Sequence, residues 1–151
     1  MLKDILYKVN IRSVKGNTNI EVNDLQIDSR KVTAGSCFIA IEGNTTNGHD
    51  YISKAIVNGA VAIIHEKFSA IPQDGVTYIE VENSAIAAGV ISHNFYNAPS
   101  AQILLVGVTG TNGKTTIATL LWKLFNGLGY KCGLISTVQN QIGEKIIEAT
   151  H

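Results

Sequence analysis

An apolar run, a glycine-rich turn and an amphipathic run follow one another between residues 103 and 128, and this order constrains the fold more than any other feature. The four residues from Ile103 to Val106 are typical of a buried strand. Glycines at 127 and 129 indicate where a helix ends, and Gly129 suits a left-handed cap. The apolar positions between turn and cap share one helix face: Ile117, Leu120, Leu121, Leu124, Phe125 and Leu128. A strand, a turn and a helix in this order predict an α/β unit.

The turn itself predicts a site for a nucleoside triphosphate, since Gly110 to Thr115 match the pattern G-x-x-G-K-T. Glycines let backbone N–H groups converge on phosphate oxygens, and the following helix presents its positive N-terminus. Lys114 would provide positive charge to the β- and γ-phosphates, and the Thr115 hydroxyl would bind Mg²⁺. An ordinary strand–turn–helix connection is the alternative, but it does not account for Lys114 and the hydroxyls. The predicted nucleotide-binding residues are Gly110, Thr111, Asn112, Gly113, Lys114, Thr115 and Thr116, with Lys114 also catalytic.

The composition predicts a well-cored globular protein, because 45% of the 151 residues are hydrophobic and 16% are charged. Lys+Arg and Asp+Glu are both 12, so no basic surplus recruits nucleic acid or an anionic membrane. Neither a signal peptide nor a membrane-spanning run is visible, and a cytoplasmic location is expected. Cys37 and Cys132 lie in apolar runs without C-x-x-C spacing, which favours buried, reduced thiols over a disulfide.

Strand-like and helix-like segments alternate through the first hundred residues, which predicts an α/β fold with partly parallel strands. A helix is expected to begin at an Asp50 cap, and another over 84–97 with Ile86, Val90, Ile91 and Phe95 facing inward. Residues 43–48 form a polar loop. The remaining predictions are a helix over 2–9 and strands over 20–27, 37–41, 60–64 and 77–81.

A domain boundary is predicted near Pro99, because proline disfavours helix at Ala98. The first domain would span 1–99, and 100–151 would be the start of a second. The second part provides one strand, the loop, a helix, a strand at about 131–137 and a hairpin arm. A P-loop sheet usually needs further strands, so we expect a piece of a longer protein, with a completing partner as the alternative.

Several further motifs accompany the phosphate loop. They are Asp28-Ser29-Arg30-Lys31-Val32, Gly35 with Phe38-Ile39-Ala40, Gly43 with Gly48-His49-Asp50-Tyr51-Ile52, Gly59-Ala60-Val61-Ala62, Asn94-Phe95-Tyr96 with Pro99-Ser100, and Gly107 to Thr116. Together they resemble the N-terminal part of the Mur ligase family over all 151 residues. The Asp-Ser-Arg and Gly-His-Asp runs narrow the resemblance to the branches that add the third residue or the terminal dipeptide of the peptidoglycan stem peptide. The Thr-Asn pair after Thr109-Gly110 favours the third-residue branch.

The resemblance implies a monomeric three-domain ATP-dependent amide ligase of peptidoglycan synthesis that uses Mg²⁺. The first domain would hold the uridine diphosphate of the substrate UDP-N-acetylmuramoyl-L-Ala-D-Glu, the second domain would bind ATP, and a third would bind the incoming diaminopimelate or lysine. In the family, ATP phosphorylates the substrate carboxylate, and the amino acid's amine attacks the acyl phosphate. This chain would be the small α/β UDP-sugar-binding domain plus the start of the P-loop-type ATPase domain, inactive alone.

The resemblance also assigns residues around the UDP-sugar. Ser29 would contact it, and Asn44, Thr45 and Thr46 would line the uracil or diphosphate site. Asn47 and Ser36 stand where the family usually has Asp, and we interpret them as turn or capping residues. His49 is expected to position the loop and cap the helix rather than to catalyse, because no nucleophile or metal partner is near it in sequence.

Two alternatives stay open from the sequence. One is another ligase with the same central domain, either the dipeptide-adding Mur enzyme or a cyanophycin-type synthetase. The other is a non-catalytic binding module in which the loop serves only the turn.

Overall fold

A five-stranded sheet with the order β1-β5-β4-β3-β2 organises residues 1–103. Its strands are β1 (Ile11–Lys15), β2 (Asp24–Gln26), β3 (Ser36–Ile39), β4 (Ala62–His65) and β5 (Thr77–Val81). The four strands β2, β3, β4 and β5 are parallel, and β1 pairs with β5 in the antiparallel sense, Val14 opposite Ile79. The predicted α/β class and partly parallel pairing are confirmed.

The computed structural model describes residues 1–43, 45–67, 72–143 and 145–148. The chain divides into two units, Met1–Ile103 (unit 1) and Leu104–His151 (unit 2). This division lies a few residues after the boundary predicted at Pro99. The assignment of 1–99 and 100–151 to a UDP-sugar domain and an ATP domain stays a prediction.

Helices cover both faces of the unit 1 sheet. One core contains α1 (Leu2–Ile5) and α3 (Ser84–Phe95) and includes Cys37, Ile39, Ile64 and Ile79. The other core contains α2 (Ile52–Val57) and includes residues that alternate with those of the first core along the chain: Phe38, Ala40, Ile63 and Tyr78. Because successive side chains of a strand point to opposite faces, central strands between two helical layers become apolar throughout.

The N-terminal segment departs from the prediction. The helix predicted over 2–9 ends at Ile5, since Lys8 adopts a left-handed backbone (φ 59°). The Asn94 side-chain amide donates to the carbonyls of Ile5 and Tyr7, at 3.0 and 2.7 Å. It thereby satisfies carbonyl groups at the end of α1 that have no partner within the helix. The strand β1 was not predicted, because four of its five residues are exposed and carry no apolar alternation. The strand predicted over 20–27 is restricted to β2.

Helix α3 is shorter than predicted and turned differently. Asn83 is its N-cap, and its Oδ1 accepts a bond from the Ile86 N–H at 2.8 Å. The prediction that Ile86 faces inward is wrong: its side chain is 70% exposed, and Ala87 and Ile91 are buried instead. Val90 and Phe95 are half-buried. The chain leaves the helix through two left-handed residues, Asn97 and Ala98, before Pro99 begins a short 3₁₀ turn.

Unit 2 contains α4 (Lys114–Gly127) and an antiparallel sheet of β6 (Gly133–Ile135), β7 (Gln139–Ile142) and β8 (Lys145–Glu148). Gly129 adopts the predicted left-handed conformation after the helix, at φ 86°. The indole of Trp122 donates to the Cys132 carbonyl at 3.2 Å and ties α4 to the start of the sheet. Cys132 is half-buried and Cys37 is fully buried, and both are free thiols, so full burial is confirmed for Cys37 alone.

The buried strand predicted over 103–106 is not formed, and the predicted inward stripe of α4 is largely open. Ile103, Leu104, Leu105 and Val106 are 59–89% exposed and have no strand pairing. A strand needs a neighbour for its backbone groups, and within the described ranges none runs beside this segment. The exposed members of the α4 stripe are Ile117, Leu120, Leu124 and Leu128, whereas Leu121 and Phe125 are half-buried. No helix of the described residues is long and apolar enough to cross a membrane.

Candidate functional site

The loop before α4 has the form of an anion site. Gly113 is the helix N-cap with a left-handed backbone (φ 77°), and no side chain caps the helix. The Lys114 Nζ folds back over the loop and donates to the carbonyls of Gly110 at 2.6 Å and Thr111 at 3.2 Å. These partners are neutral, so the ammonium charge at the helix N-terminus is available to a negatively charged ligand.

The first turn of α4 also offers backbone donors. The Ile117 N–H bonds the Gly113 carbonyl at 2.9 Å, and the N–H groups before it have no carbonyl one turn earlier within the helix. The space beside Gly113 is open as well, because a Cβ placed there would meet nothing within 4 Å. Open amides, open space and a lysine charge fit the triphosphate of ATP.

The residues expected to hold Mg²⁺ fit it only in part. Thr115 lies in the first turn of α4, half-buried, and can contribute one hydroxyl oxygen. No group of three or more His, Cys, Asp or Glu that could hold a metal ion occurs among the residues with assigned positions. Magnesium keeps several waters and binds largely through substrate phosphates, so one protein oxygen beside a triphosphate is compatible with it.

The predicted UDP-sugar residues follow neighbouring parallel strands of unit 1. Ser29 lies in a 3₁₀ turn (Ser29–Lys31) after β2, while Thr45 and Thr46 lie in the loop after β3. Carboxyl ends of parallel strands meet at one edge of a sheet, which is where α/β proteins bind ligands. Ser29 is buried and Thr45 and Thr46 are exposed. Asn44, assigned to the same loop, lies outside the described residues.

Local hydrogen bonds hold the Ser29 turn. The Asp28 carboxylate accepts from the Arg30 N–H at 3.0 Å and pairs with the Arg30 guanidinium at 2.8 Å. The Arg30 hydrogen bonds lower the pKa of Asp28 to about 2. Asn58 donates to the Ser29 carbonyl at 2.8 Å and joins the turn to the end of α2. Arg30 therefore has a structural partner in this turn.

The loop over 42–47 is closed at its base. Glu42 and Asn47 form a β-bridge, and the Gly43 N–H donates to the Thr46 carbonyl at 2.9 Å. The Gly48 N–H donates to the Ile41 carbonyl at 2.8 Å, and a Cβ on Gly48 would approach the Ile41 N and O atoms to 2.7 Å. Only glycine fits there, so the two ends of the loop come together.

The interpretation of Asn47 and Ser36 as turn or capping residues is confirmed. Asn47 Oδ1 accepts from the His49 N–H at 3.0 Å and caps a 3₁₀ helix, Gly48–Tyr51. Ser36 is buried, and its Oγ accepts from the Thr33 N–H at 3.0 Å. The prediction that Asp50 caps a helix is wrong. It lies inside the 3₁₀ helix, and α2 follows Tyr51 without a side-chain cap. The Asn47 side chain instead caps the 3₁₀ helix that precedes α2, by accepting from the His49 N–H.

Sequence reasoning missed Glu66, which follows β4. Its backbone N–H donates to His49 Nε2 at 2.9 Å, and its carboxylate accepts from the Ser84 N–H and Oγ at 2.7 and 2.8 Å. These bonds join the loop after β3 to the start of α3. The only sequence signal was a polar residue at the end of a buried strand, which is too common to indicate a role.

The family model for "Mur ligase family, catalytic domain" matches residues 21–106, more than half of the chain. The chain belongs to the Mur ligase family. The match covers most of the unit 1 sheet and ends before the phosphate loop. In this Mur ligase chain, the loop from Gly110 to Thr116 therefore lies outside the matched range.

Two curated relatives of this Mur ligase chain bear the same name. It is 50% identical over 151 residues to the UDP-N-acetylmuramoyl-L-alanyl-D-glutamate–2,6-diaminopimelate ligase of Cytophaga hutchinsonii, covering 99% of this chain and 31% of that protein. It is 49% identical over 150 residues to the ligase of the same name from Bacteroides fragilis, again covering 99% and 31%. The chain thus spans about a third of the length of these relatives.

Solved Mur ligases share the fold. A MurF ligase from Thermotoga maritima in complex with ADP aligns with a TM-score of 0.54 and 31% identity, over 69% of this chain and 23% of that one. MurF from Acinetobacter baumannii aligns with a TM-score of 0.64 and 21% identity, over 85% and 28%. The alignment with MurF from Acinetobacter baumannii, at 21% identity, shows a shared fold only.

Proposed function

We propose that this chain supplies the UDP-sugar site and the ATP loop of an ATP-dependent ligase that joins diaminopimelate to UDP-N-acetylmuramoyl-L-alanyl-D-glutamate in peptidoglycan synthesis. The observation that carries the proposal is the Lys114 amine, held over an open, glycine-lined helix N-terminus in a Mur ligase chain. The shared name of the relatives supports the substrate and favours diaminopimelate over lysine.

The ATP loop is proposed to comprise Gly110, Thr111, Asn112, Gly113, Lys114, Thr115 and Thr116. ATP would supply a γ-phosphoryl group to the substrate carboxylate, and the resulting acyl phosphate is attacked by an amine. Lys114 and the first amides of α4 would neutralise negative charge on the transferring group, and this electrostatic work is most of what phosphoryl transfer asks of a protein. The Thr115 hydroxyl would be one ligand of Mg²⁺. The ADP bound to the Thermotoga maritima relative supports a nucleotide in this family.

The UDP-sugar is proposed to bind at the carboxyl edge of the unit 1 sheet, at Ser29 and at Asn44, Thr45 and Thr46. Hydroxyl and amide groups suit both the diphosphate oxygens and the polar edge of uracil. The loop after β3 is closed at its base, and its two threonines are exposed, so they are presented to solvent on a defined turn. An ATP-dependent reaction is in keeping with the cytoplasm, and we expect a monomer.

Isothermal titration calorimetry of the 151-residue chain tests the UDP-sugar site. We expect UDP-N-acetylmuramoyl-L-Ala-D-Glu to bind, and a Thr45→Val, Thr46→Val double variant to bind about threefold to tenfold more weakly. Thr18→Val makes the same chemical change on the loop between β1 and β2, elsewhere in unit 1, and is the matched control that should bind like the wild type. Equal affinity of the control and the double variant would contradict the assignment.

Catalysis by the chain alone provides a second test. We expect no amide product from ATP, Mg²⁺, diaminopimelate and the UDP-sugar, because the described residues offer no acidic metal cluster and a transferring group must be held on several sides. Product formation, followed by mass spectrometry, would show that the chain holds more of the active site than we propose.

A further inference from the structure

His49 lies between the loop over 42–47 and the end of β4, and its imidazole is bonded on both sides. Its Nε2 is 2.9 Å from the backbone nitrogen of Glu66, and its Nδ1 is 2.7 Å from Asn47 Oδ1. The ring is half-buried. A side chain with a different partner on each nitrogen has its orientation determined by both.

These partners also determine which nitrogen carries the proton. The Glu66 N–H can only donate, so Nε2 must be the unprotonated acceptor. The proton then resides on Nδ1, which donates to Asn47 Oδ1. The same oxygen accepts from the His49 backbone N–H at 3.0 Å, which confirms that the amide presents its oxygen. His49 is thus the Nδ1-protonated neutral imidazole.

The His49 imidazole connects the loop over 42–47 to Glu66, which is itself bonded to the start of α3. The Glu66 carboxylate is bonded to Ser84 at the start of α3, at 2.7 and 2.8 Å. From this anchor the bonds run through His49 to Asn47, and Asn47 pairs with Glu42 at the base of the loop. Between those two residues lie Thr45 and Thr46. Their placement therefore depends on the imidazole as well as on the loop's own backbone bonds.

We propose that His49 is a positioning residue for the UDP-sugar site, holding the loop over 42–47 at the end of β4 through Asn47 without touching the substrate. This inference rests on the proposed function and extends the expectation that His49 positions the loop, by naming the bonds through which it acts on the substrate site. The expected helix cap is provided by Asn47 and not by His49. The His49 variants should change UDP-sugar affinity and leave ATP affinity unchanged, since the ATP loop belongs to unit 2.

Two substitutions of His49 separate the hydrogen bonds from the bulk of the ring. His49→Gln keeps an oxygen that can accept from the Glu66 N–H, whereas His49→Leu keeps a similar size and neither bond. By calorimetry we expect the dissociation constant of UDP-N-acetylmuramoyl-L-Ala-D-Glu to rise about tenfold in His49→Leu and at most about threefold in His49→Gln. Partial recovery by Gln is a result that loss of packing would not produce.

Substitutions of Asn47 test the same connection at the other partner. They also test the role of His49 if His49→Leu does not fold. Asn47→Asp retains an acceptor for both His49 donors and should bind like the wild type, whereas Asn47→Leu should lose about tenfold. Wild-type affinity in the folded Leu variants would overturn the inference. A wild-type chain that binds ATP but no UDP-sugar would instead overturn the proposed substrate site, so the two failures are distinguishable.

Discussion

The carboxylate of Glu66 accepts two hydrogen bonds from Ser84, one from its backbone N–H at 2.7 Å and one from its hydroxyl at 2.8 Å. Both bonds lower the pKa of the Glu66 carboxyl below its ordinary value, and the bond from the backbone N–H has the larger effect. A carboxylate bonded in this way stabilises the start of α3 more strongly while it is ionised, because charge-assisted hydrogen bonds are stronger than neutral ones.

This relationship predicts an acid-dependent contribution to stability. Because the folded pKa is depressed, the contribution is present above the unfolded value of about 4.3 and disappears as the pH falls through the folded value. Glu66→Gln should lower the melting temperature at pH 7 by about 2 °C, since the group is partly exposed, and the difference should shrink as the pH falls below the unfolded value of about 4.3. Melting curves followed by circular dichroism from about pH 7 to about pH 3 measure it; parallel curves throughout would contradict it.

Replacement of Lys114 should weaken nucleotide binding. Lys114→Ala removes the charge that lies over the loop, and we expect the dissociation constant for Mg-ATP to rise about tenfold to a hundredfold, the range for a hydrogen bond to a charged group. Lys123→Ala removes an exposed charge from the same helix and is the control. Fluorescence titration with a labelled nucleotide compares them, and unaltered binding in Lys114→Ala would argue against the site.

Two glycines of unit 2 separate backbone strain from ligand contact. Gly113 and Gly129 both have left-handed backbones, at φ 77° and 86°, and a Cβ on either would meet nothing within 4 Å. Each Gly→Ala change should therefore cost about 1 kcal/mol of strain in the free energy of unfolding. Only Gly113→Ala should also weaken ATP binding, because only Gly113 shapes the loop. Denaturant titrations and calorimetry test the pair; equal loss of ATP affinity in both would contradict the assignment.

The two thiols should differ in reactivity. Burial raises the pKa of Cys37 to about 12, whereas Cys132 is half-buried. At about pH 8 the thiolate is the reactive form, so iodoacetamide should label the native chain once, at Cys132, and twice after unfolding. Cys132→Ser should abolish native labelling. Mass spectrometry of tryptic peptides gives the answer, and rapid native labelling of Cys37 would be inconsistent with its burial.

The central strands of unit 1 could be predicted because burial on both faces makes them apolar throughout. The strand predicted over 77–81 coincides with β5, and those predicted over 37–41 and 60–64 differ from β3 and β4 by one or two residues at each end. β1 could not be found, because only Ile11 among its residues is even partly buried and its pairing partner lies far along the chain.

Short-range chemistry predicted the start of one helix and misplaced another. The start of α4 at Lys114, directly after Gly113, follows from the glycine-rich turn and the helical run. The capping rule selected Asp50, whereas the resemblance indicated Asn47, which is the observed cap. The bond between His49 and Glu66 joins two loops through tertiary structure, and no sequence pattern encodes it. The segment over 103–106 shows the opposite case: its composition is that of a strand, but a strand also requires a neighbour.

The pairing of β1 with β5 has a consequence for the order of folding. Ile11 and Val81 are paired at one end of the two strands. The first strand, β1, can therefore pair only after β5 has been synthesised. Closing so long a loop carries an entropic cost that short-range pairs avoid. During synthesis, the parallel pairs β2–β3 and β3–β4 can form before β5 leaves the ribosome, and the edge contributed by β1 is added last. Until then β5 has no antiparallel neighbour, and the backbone groups of β1 have no strand partner.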